Sequence, residues 1–286
     1  MIRTIGDLCE GGAVERHGYV TALLDATGFF FKRPRDTFPD AQEADWAAAE
    51  AVDPGVTGPD GSWRLDFRCF AVARPGGRWV LVDTGVGPAE GPGADWCPVP
   101  GRLPAALAEA GIEPADVEAV VLTHLHDDHV GWSLRAKGEP MFPGARYVVQ
   151  RAETEALDRQ DPVWDWVVEP LRASGQLQEA DGRVRLGEGL TLLPTPGHTP
   201  GHQSVLVTGP GRADRPVLIT GDALVHPVQL VAPAVAYRYE RDPVAARLSR
   251  EALLAMAVER GAVLATAHLT RAFLDPADPP AAVPPA

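Results

Sequence analysis

The sequence predicts a layered α/β domain. Two observations carry that reading: short apolar, β-rich runs alternate with helical stretches, and the runs end in sharp Gly-, Pro- or Asp-bearing turns. No linker is rich enough in Pro, Gly or Ser to split the chain. The expected organisation is therefore one domain over residues 1–274 and a Pro/Ala-rich tail over 275–286.

Residues 12–33 read as strand material, with Val20 to Leu24 apolar and Phe29-Phe30-Phe31 after Gly28. Turn chemistry fills 34–62 around a helical patch from Ala41 to Ala51. Trp63 to Ala73 and Arg78 to Asp83 form a hairpin across Arg74-Pro75-Gly76-Gly77. Leu103 to Ala110 is helical, closed by Gly111, and Ala119 to Leu122 is a buried strand ending at Thr123-His124. Leu190 to Leu193, Gln203 to Thr208 and Val217 to Thr220 are further strands. The first runs into Pro194 to His198 and the last into Gly221-Asp222. Asp242-Pro243 opens a helix over Ala245 to Arg260, Gly261 stops it, and Ala262 to Ala265 is a last strand before His268.

The chain has 286 residues, enough for a substantial core, and its 45% hydrophobic and 23% charged content is that of a soluble domain. No run has the length and apolarity of a membrane span, and the first residues lack a signal-peptide pattern, so a cytoplasmic setting and no membrane partner are expected. Thirty-nine acidic against 26 basic residues give a net charge of −13, which repels nucleic acid and favours a neutral, partly apolar small-molecule substrate. A homodimer is compatible with this surface. Cys9, Cys69 and Cys97 are scattered without ligand spacing and read as thiols of a reduced compartment.

The chemistry concentrates in His124-Leu125-His126-Asp127-Asp128-His129. In extended chain, residues two apart point the same way, so His124 and His126 suit one metal ion. A turn after them aims Asp128 and His129 at a neighbouring position. Imidazoles and carboxylates are the donors that divalent transition metals select. His198, Asp222 and His268 each lie just past a strand-like run, where α/β sheets commonly place their sites.

These segments resemble one family. Thr123 to His129 matches the T-H-x-H-x-D-H signature of metallo-β-lactamase-fold hydrolases, and Pro196-Gly197-His198-Thr199-Pro200-Gly201-His202 resembles their second ligand segment. Thr220-Gly221-Asp222, Ala267-His268 and Val82-Asp83-Thr84-Gly85 resemble three more, so the similarity runs from about Phe67 to His268. The resemblance implies a four-layered αβ/βα sandwich. It implies that His124, His126 and His198 hold one metal, that Asp128, His129 and His268 hold a second, and that Asp222 bridges both. Asp83 would support the metal loop, and His202 would be structural. Two divalent ions per chain, zinc first and iron, manganese or cobalt as substitutes, would activate a bridging hydroxide. Asp128 is a candidate to accept or relay a proton.

Within that family Asp222 argues against β-lactamases, and the acidic surface argues against RNA-processing relatives. The Leu193 to Ser204 segment is similar to N-acyl-homoserine lactonases, which commonly carry a tyrosine three residues beyond the bridging aspartate; Val225 stands there, followed by His226. Gly221 to Leu230 looks more like methyl-parathion-type hydrolases. The expected activity is therefore hydrolysis of an ester or lactone, with phosphotriester hydrolysis as the alternative. His226 is the nearest candidate to assist the leaving oxygen. A non-catalytic metal-binding member would lack at least one of the seven ligands, and all are present. Phe29, Phe30, Phe31, Phe38, Trp164 and Trp166 together allow an apolar cleft.

Overall fold

A computed structural model of the chain describes residues 13–135, 138–209 and 215–277. Its first sheet has seven strands in chain order: β1 (Val14–His17), β2 (Val20–Phe29), β3 (Arg64–Arg74), β4 (Arg78–Val82), β5 (Val117–Val121), β6 (Arg146–Gln150) and β7 (Leu177–Ala180). The first four pair antiparallel and the last four parallel. The β3–β4 hairpin turns through Gly76 and Gly77, both at positive φ, as the Pro-Gly-Gly sequence predicts. Between β2 and β3 come α1 (Pro34–Thr37) and α2 (Glu43–Val52). Between β4 and β5 lies α3 (Leu103–Ala110), ended by left-handed Gly111 as expected.

After β5 the chain makes one helical turn, α4 (Asp127–Val130). Following β6 it forms α5 (Arg151–Ala156) and a π-helical turn at Trp164–Val168 that continues into α6 (Glu169–Ala173). The second sheet, in the order β13-β12-β11-β10-β9-β8, holds β8 (Val184–Gly187), β9 (Leu190–Pro194), β10 (Gln203–Val207), β11 (Val217–Ile219), β12 (Val263–Ala265) and β13 (Phe273–Leu274). α7 (Val228–Val231) and α8 (Pro243–Arg260) complete the described elements. Asp242 caps α8 by accepting from the N–H groups of Val244 and Ala245, and Gly261 closes it.

Side-chain alternation sorts the layers. Val80, Val82, Ala119 and Val121 of the first sheet pack against Leu190, Leu192, Val205 and Ile219 of the second, so the sheets face one another. On the first sheet's outer face, Leu81 and Val120 meet Leu103 and Leu107 of α3; on the second's, Leu206, Leu218 and Leu264 meet Leu253 and Ala257 of α8. Helix, sheet, sheet, helix is the four-layered sandwich that the resemblance implies. Asp25 of β2 is buried and ties down the long connection after β4, accepting from Val86 N–H (2.7 Å) and Leu103 N–H (2.6 Å).

Cys69 and Cys97 are buried and free, while Cys9 lies outside the described residues. So does the tail from 278 onward; Asp275, at its start, accepts from Arg215 (2.6 Å). Among the described residues no helix is long and apolar enough to cross a membrane.

Candidate metal centre

Five chain segments deliver the site to one edge of the sandwich, each just past a strand end. β5 leads to Thr123-His124 and α4, β9 to His198, β11 to Asp222, β12 to His268 and β4 to Asp83. The turn after β11 needs glycine: Gly221 has φ +52°, and a Cβ there would meet His202 Nε2 at 2.7 Å. Gly197, at φ +135°, lets the His198 loop lie on α8, where a Cβ would sit 2.0 Å from Ala246 N. That loop is stitched down by Asp242 N–H to Gly197 O (2.9 Å) and Arg241 N–H to His198 O (3.1 Å).

The seven predicted ligand residues come together in two adjoining groups. His124, His126, His198 and Asp222 form one, Asp128, His129 and His268 the other, and all but His126 are buried. In the first, His126 Nδ1 lies 2.9 Å from His124 Nε2 and 3.0 Å from His198 Nε2. In the second, His129 Nε2 and His268 Nε2 are 3.1 Å apart, with Asp128 Oδ2 3.5 Å from each. Asp222 spans both: Oδ2 faces His198 Nε2 (3.2 Å) and His124 Nε2 (3.8 Å), while Oδ1 faces His268 Nε2 (3.1 Å) and His129 Nε2 (3.2 Å).

This arrangement fits two metal ions. Nitrogens at about 2.0–2.1 Å from a tetrahedral zinc are about 3.4 Å apart, close to the spacings within each group. Asp222 Oδ1 is buried, makes no hydrogen bond of good geometry and faces two ring nitrogens, an environment that suits a bound cation. Three of the remaining ring nitrogens are held from behind: His129 Nδ1 by Asp83 Oδ2 (2.9 Å), His268 Nδ1 by Asp66 O (3.0 Å) and His124 Nδ1 by Thr123 Oγ1 (3.1 Å), while His198 Nδ1 is buried without a partner. Asp83 also accepts from Thr123 N–H (2.7 Å) and its hydroxyl (2.8 Å), and it does so at φ +60°, a strained backbone for a non-glycine residue.

Burial holds His124 and His198 well below the ordinary imidazole range, leaving them neutral and able to ligate. Burial alone would push the Asp222 carboxyl up; His268, His129 and His198 outweigh it and keep the group ionised.

The centre floors a cleft of about 500 Å³. Phe30, Trp63, Trp96, Val225, Tyr237 and Tyr239 line its apolar side. Of the aromatic residues expected there, Phe30 and Phe31 reach the cleft. Phe38 is 1% exposed in the core beneath, and Trp164 and Trp166 pack on the far face of the first sheet.

His226 requires a correction, because it neither joins the ligand groups nor lines the cleft. It is 1% exposed, enclosed by Phe38, Trp46 and Trp63, and its Nδ1 accepts from Val228 N–H (3.1 Å) at the start of α7. Burial pushes it down to about 3, so it is a neutral turn-holding residue and not an acid for the leaving oxygen.

Sequence reasoning missed three contributors. Glu153 on α5, buried, accepts from Leu125 N–H (3.2 Å) and Gly201 N–H (2.8 Å), joining the two ligand loops. Trp96 donates to Asp127 Oδ2 (2.7 Å), fixing the cleft wall beside Asp128. Tyr237 stacks on His198, with centroids 6.1 Å apart and planes 12° from parallel. None lies in a motif, and only the spatial fold brings them in.

Comparison with known proteins agrees with this geometry. An N-acyl homoserine lactonase of Bacillus sp is 35% identical over 122 residues, 43% of this chain and 44% of that protein. N-acyl homoserine lactonase AttM of Agrobacterium fabrum is 40% identical over 130 residues, 40% of this chain and 43% of that protein. The matches thus span less than half of either relative. Across 94% of both chains, the crystal structure of hydrolase AbOPH of the beta lactamase superfamily superposes with a TM-score of 0.76 at 25% identity. The dizinc quorum-quenching lactonase AidC shares the fold over 92% of both chains, with a TM-score of 0.74 at 16% identity. The profile of the Metallo-beta-lactamase superfamily matches residues 68–268, the span from β3 through every ligand segment to His268, and the chain belongs to that superfamily.

Proposed function

We propose that this protein is a binuclear metal-dependent hydrolase that opens an ester or lactone of a small, partly apolar molecule. One observation carries the reading: Asp222 turns one oxygen to each of two buried imidazole sets at the floor of an aromatic cleft. His124, His126 and His198 would hold one divalent ion, Asp128, His129 and His268 the other, with Asp222 shared. Zinc suits the donors best, with iron, manganese or cobalt as substitutes. When bound, such a pair supplies an activated water nucleophile at neutral pH and polarises the scissile carbonyl.

The chain's own residues do the rest. Asp128 would accept a proton from the attacking water, a role that its 8% exposure and its position beside the cleft support. Asp127, held by Trp96, keeps that segment in position. Phe30, Trp63, Leu65 and Val225 give the acyl or aryl part of a substrate an apolar wall. The lactonases among the relatives support the ring-opening reaction as the substrate class to try first.

The test is a panel of acyl-substituted lactones, aryl esters, thioesters and phosphotriesters on zinc-reconstituted protein. A lactone or carboxylic ester is expected to be the best substrate, with kcat/KM of at least about 10⁴ M⁻¹s⁻¹. A preference for phosphotriesters over every lactone and ester would overturn the reading. No turnover of any class would make the protein a non-catalytic metal binder.

A further inference from the structure

Ester hydrolysis puts negative charge first on the carbonyl oxygen and then on the leaving oxygen, and a donor placed at either speeds the reaction. Protein donors in the cleft are few. Val225, three residues past Asp222, presents only apolar surface. The Trp96 indole N–H is committed to Asp127, the Trp63 indole N–H is unpartnered but fully buried and closed to a ligand, and the cleft's carboxylates accept. Arg238, Arg241 and Tyr239 line the cleft as exposed side chains.

Tyr237 differs from all of these. It lines the cleft together with Asp128, Asp222 and His268, yet it is only 7% exposed. Its ring lies parallel to His198 and is backed by Phe38 (5.3 Å between centroids) and Trp63 (6.0 Å). The carboxylates of Asp222 and Asp128 are near enough to bear on its phenol. Among the described residues its carbonyl accepts from Glu240 N–H (3.0 Å), but its hydroxyl has no protein partner. The segment that carries it is held by one buried guanidinium on either side of it: Arg250 donates to Val235 O (3.2 Å) and to the Glu240 side chain at Oε1 (2.9 Å). A nearly buried phenol that is clamped on either side and has no protein partner is preorganised for a ligand oxygen.

We propose that Tyr237 is a catalytic hydrogen-bond donor whose hydroxyl serves the substrate's ester oxygen as charge develops there. The proton stays on the tyrosine, and no bond is made or broken at the phenol. The inference rests on the ester- or lactone-hydrolase reading above.

Tyr237→Phe keeps the ring against His198 and removes only the hydroxyl. The metal content and melting temperature of the variant are expected to match wild type. Its kcat on the best lactone or ester is expected to fall by a factor on the order of 10², with KM within about threefold. Calorimetry should show a non-hydrolysable phosphonate analogue of that substrate binding at least about tenfold more weakly. Unchanged kcat and phosphonate affinity, with active wild type, would overturn the proposal. So would a kcat loss accompanied by lost metal, which would make Tyr237 a support for His198 and not a donor. Wild-type protein that turns over no ester or lactone defeats the hydrolase reading itself and takes this proposal with it, and the wild-type control separates the two failures.

Discussion

Replacing Asp222 with alanine is expected to lower kcat/KM by a factor of at least about 10³ and to leave the protein unable to retain two divalent ions through gel filtration. The size of the effect follows from the shared position of this carboxylate, which faces His198 and His124 with one oxygen and His268 and His129 with the other. Without it, the two imidazole sets lose the carboxylate they share. The informative comparison is His202→Ala. His202 Nε2 accepts from Asp222 N–H (2.9 Å) and Nδ1 meets Thr195 Oγ1 (2.8 Å), so this ring positions the Asp222 turn but contributes no ligand atom. Its loss is expected to weaken metal affinity by about 10–100-fold while two ions still bind at saturating metal. Elemental analysis of both variants reads the difference, and equal metal loss would show that the ligand set is misassigned.

Arg250→Met is expected to cost about 3–5 kcal/mol of stability, enough to lower the melting temperature by roughly 10 °C. Arg250 is fully buried on α8. Besides Glu240 and Val235 O, it donates to Ala223 O (3.1 Å) and Pro233 O (2.9 Å). One guanidinium therefore gathers the whole connection from the Asp222 turn to α8. Truncating it strands three carbonyls and a carboxylate in the interior. Burial already pushes the Glu240 carboxyl up against the opposing pull of Arg250, so the partner left behind would be held as the neutral acid. Adding Glu240→Gln should recover part of the loss, because the two substitutions act on one interaction. Thermal melts of the two single variants and the double variant check this. A shift of under about 2 °C in Arg250→Met would contradict it.

Much of the centre is legible in the sequence because its ligands sit in short motifs at strand ends. The spacing of His124 and His126, the turn at Asp128-His129, and the Gly-bearing turns before His198 and Asp222 are local features, and local chemistry determines them. The helices over 103–110 and 243–260 are equally plain, since Gly111, Asp242 and Gly261 mark their ends. The middle of the chain is less so. β7 and β8 are half-exposed, four-residue strands without a clean alternation, and the π-helical turn at Trp164–Val168 has no period of its own to read. β6 has a short apolar signal in Tyr147-Val148-Val149, wholly buried, but no turn residue marks its C-terminal end.

The cleft was the least legible part. Trp63, Trp96 and Tyr237 lie far apart in sequence and converge only through the fold, whereas Trp164 and Trp166 look equivalent in composition but face the other side of the sheet. His226 shows the same limit. Proximity to Asp222 in sequence suggested chemistry, but the turn into α7 sends its ring into an aromatic enclosure.

The proposed centre gathers seven side chains around two ions. The most direct measurement is anomalous diffraction at the zinc edge from crystals of the zinc-reconstituted protein. Two peaks are predicted, one among His124, His126 and His198 and one among Asp128, His129 and His268, with Asp222 touching both. A single peak, or two peaks with Asp222 bound to neither, would contradict the account.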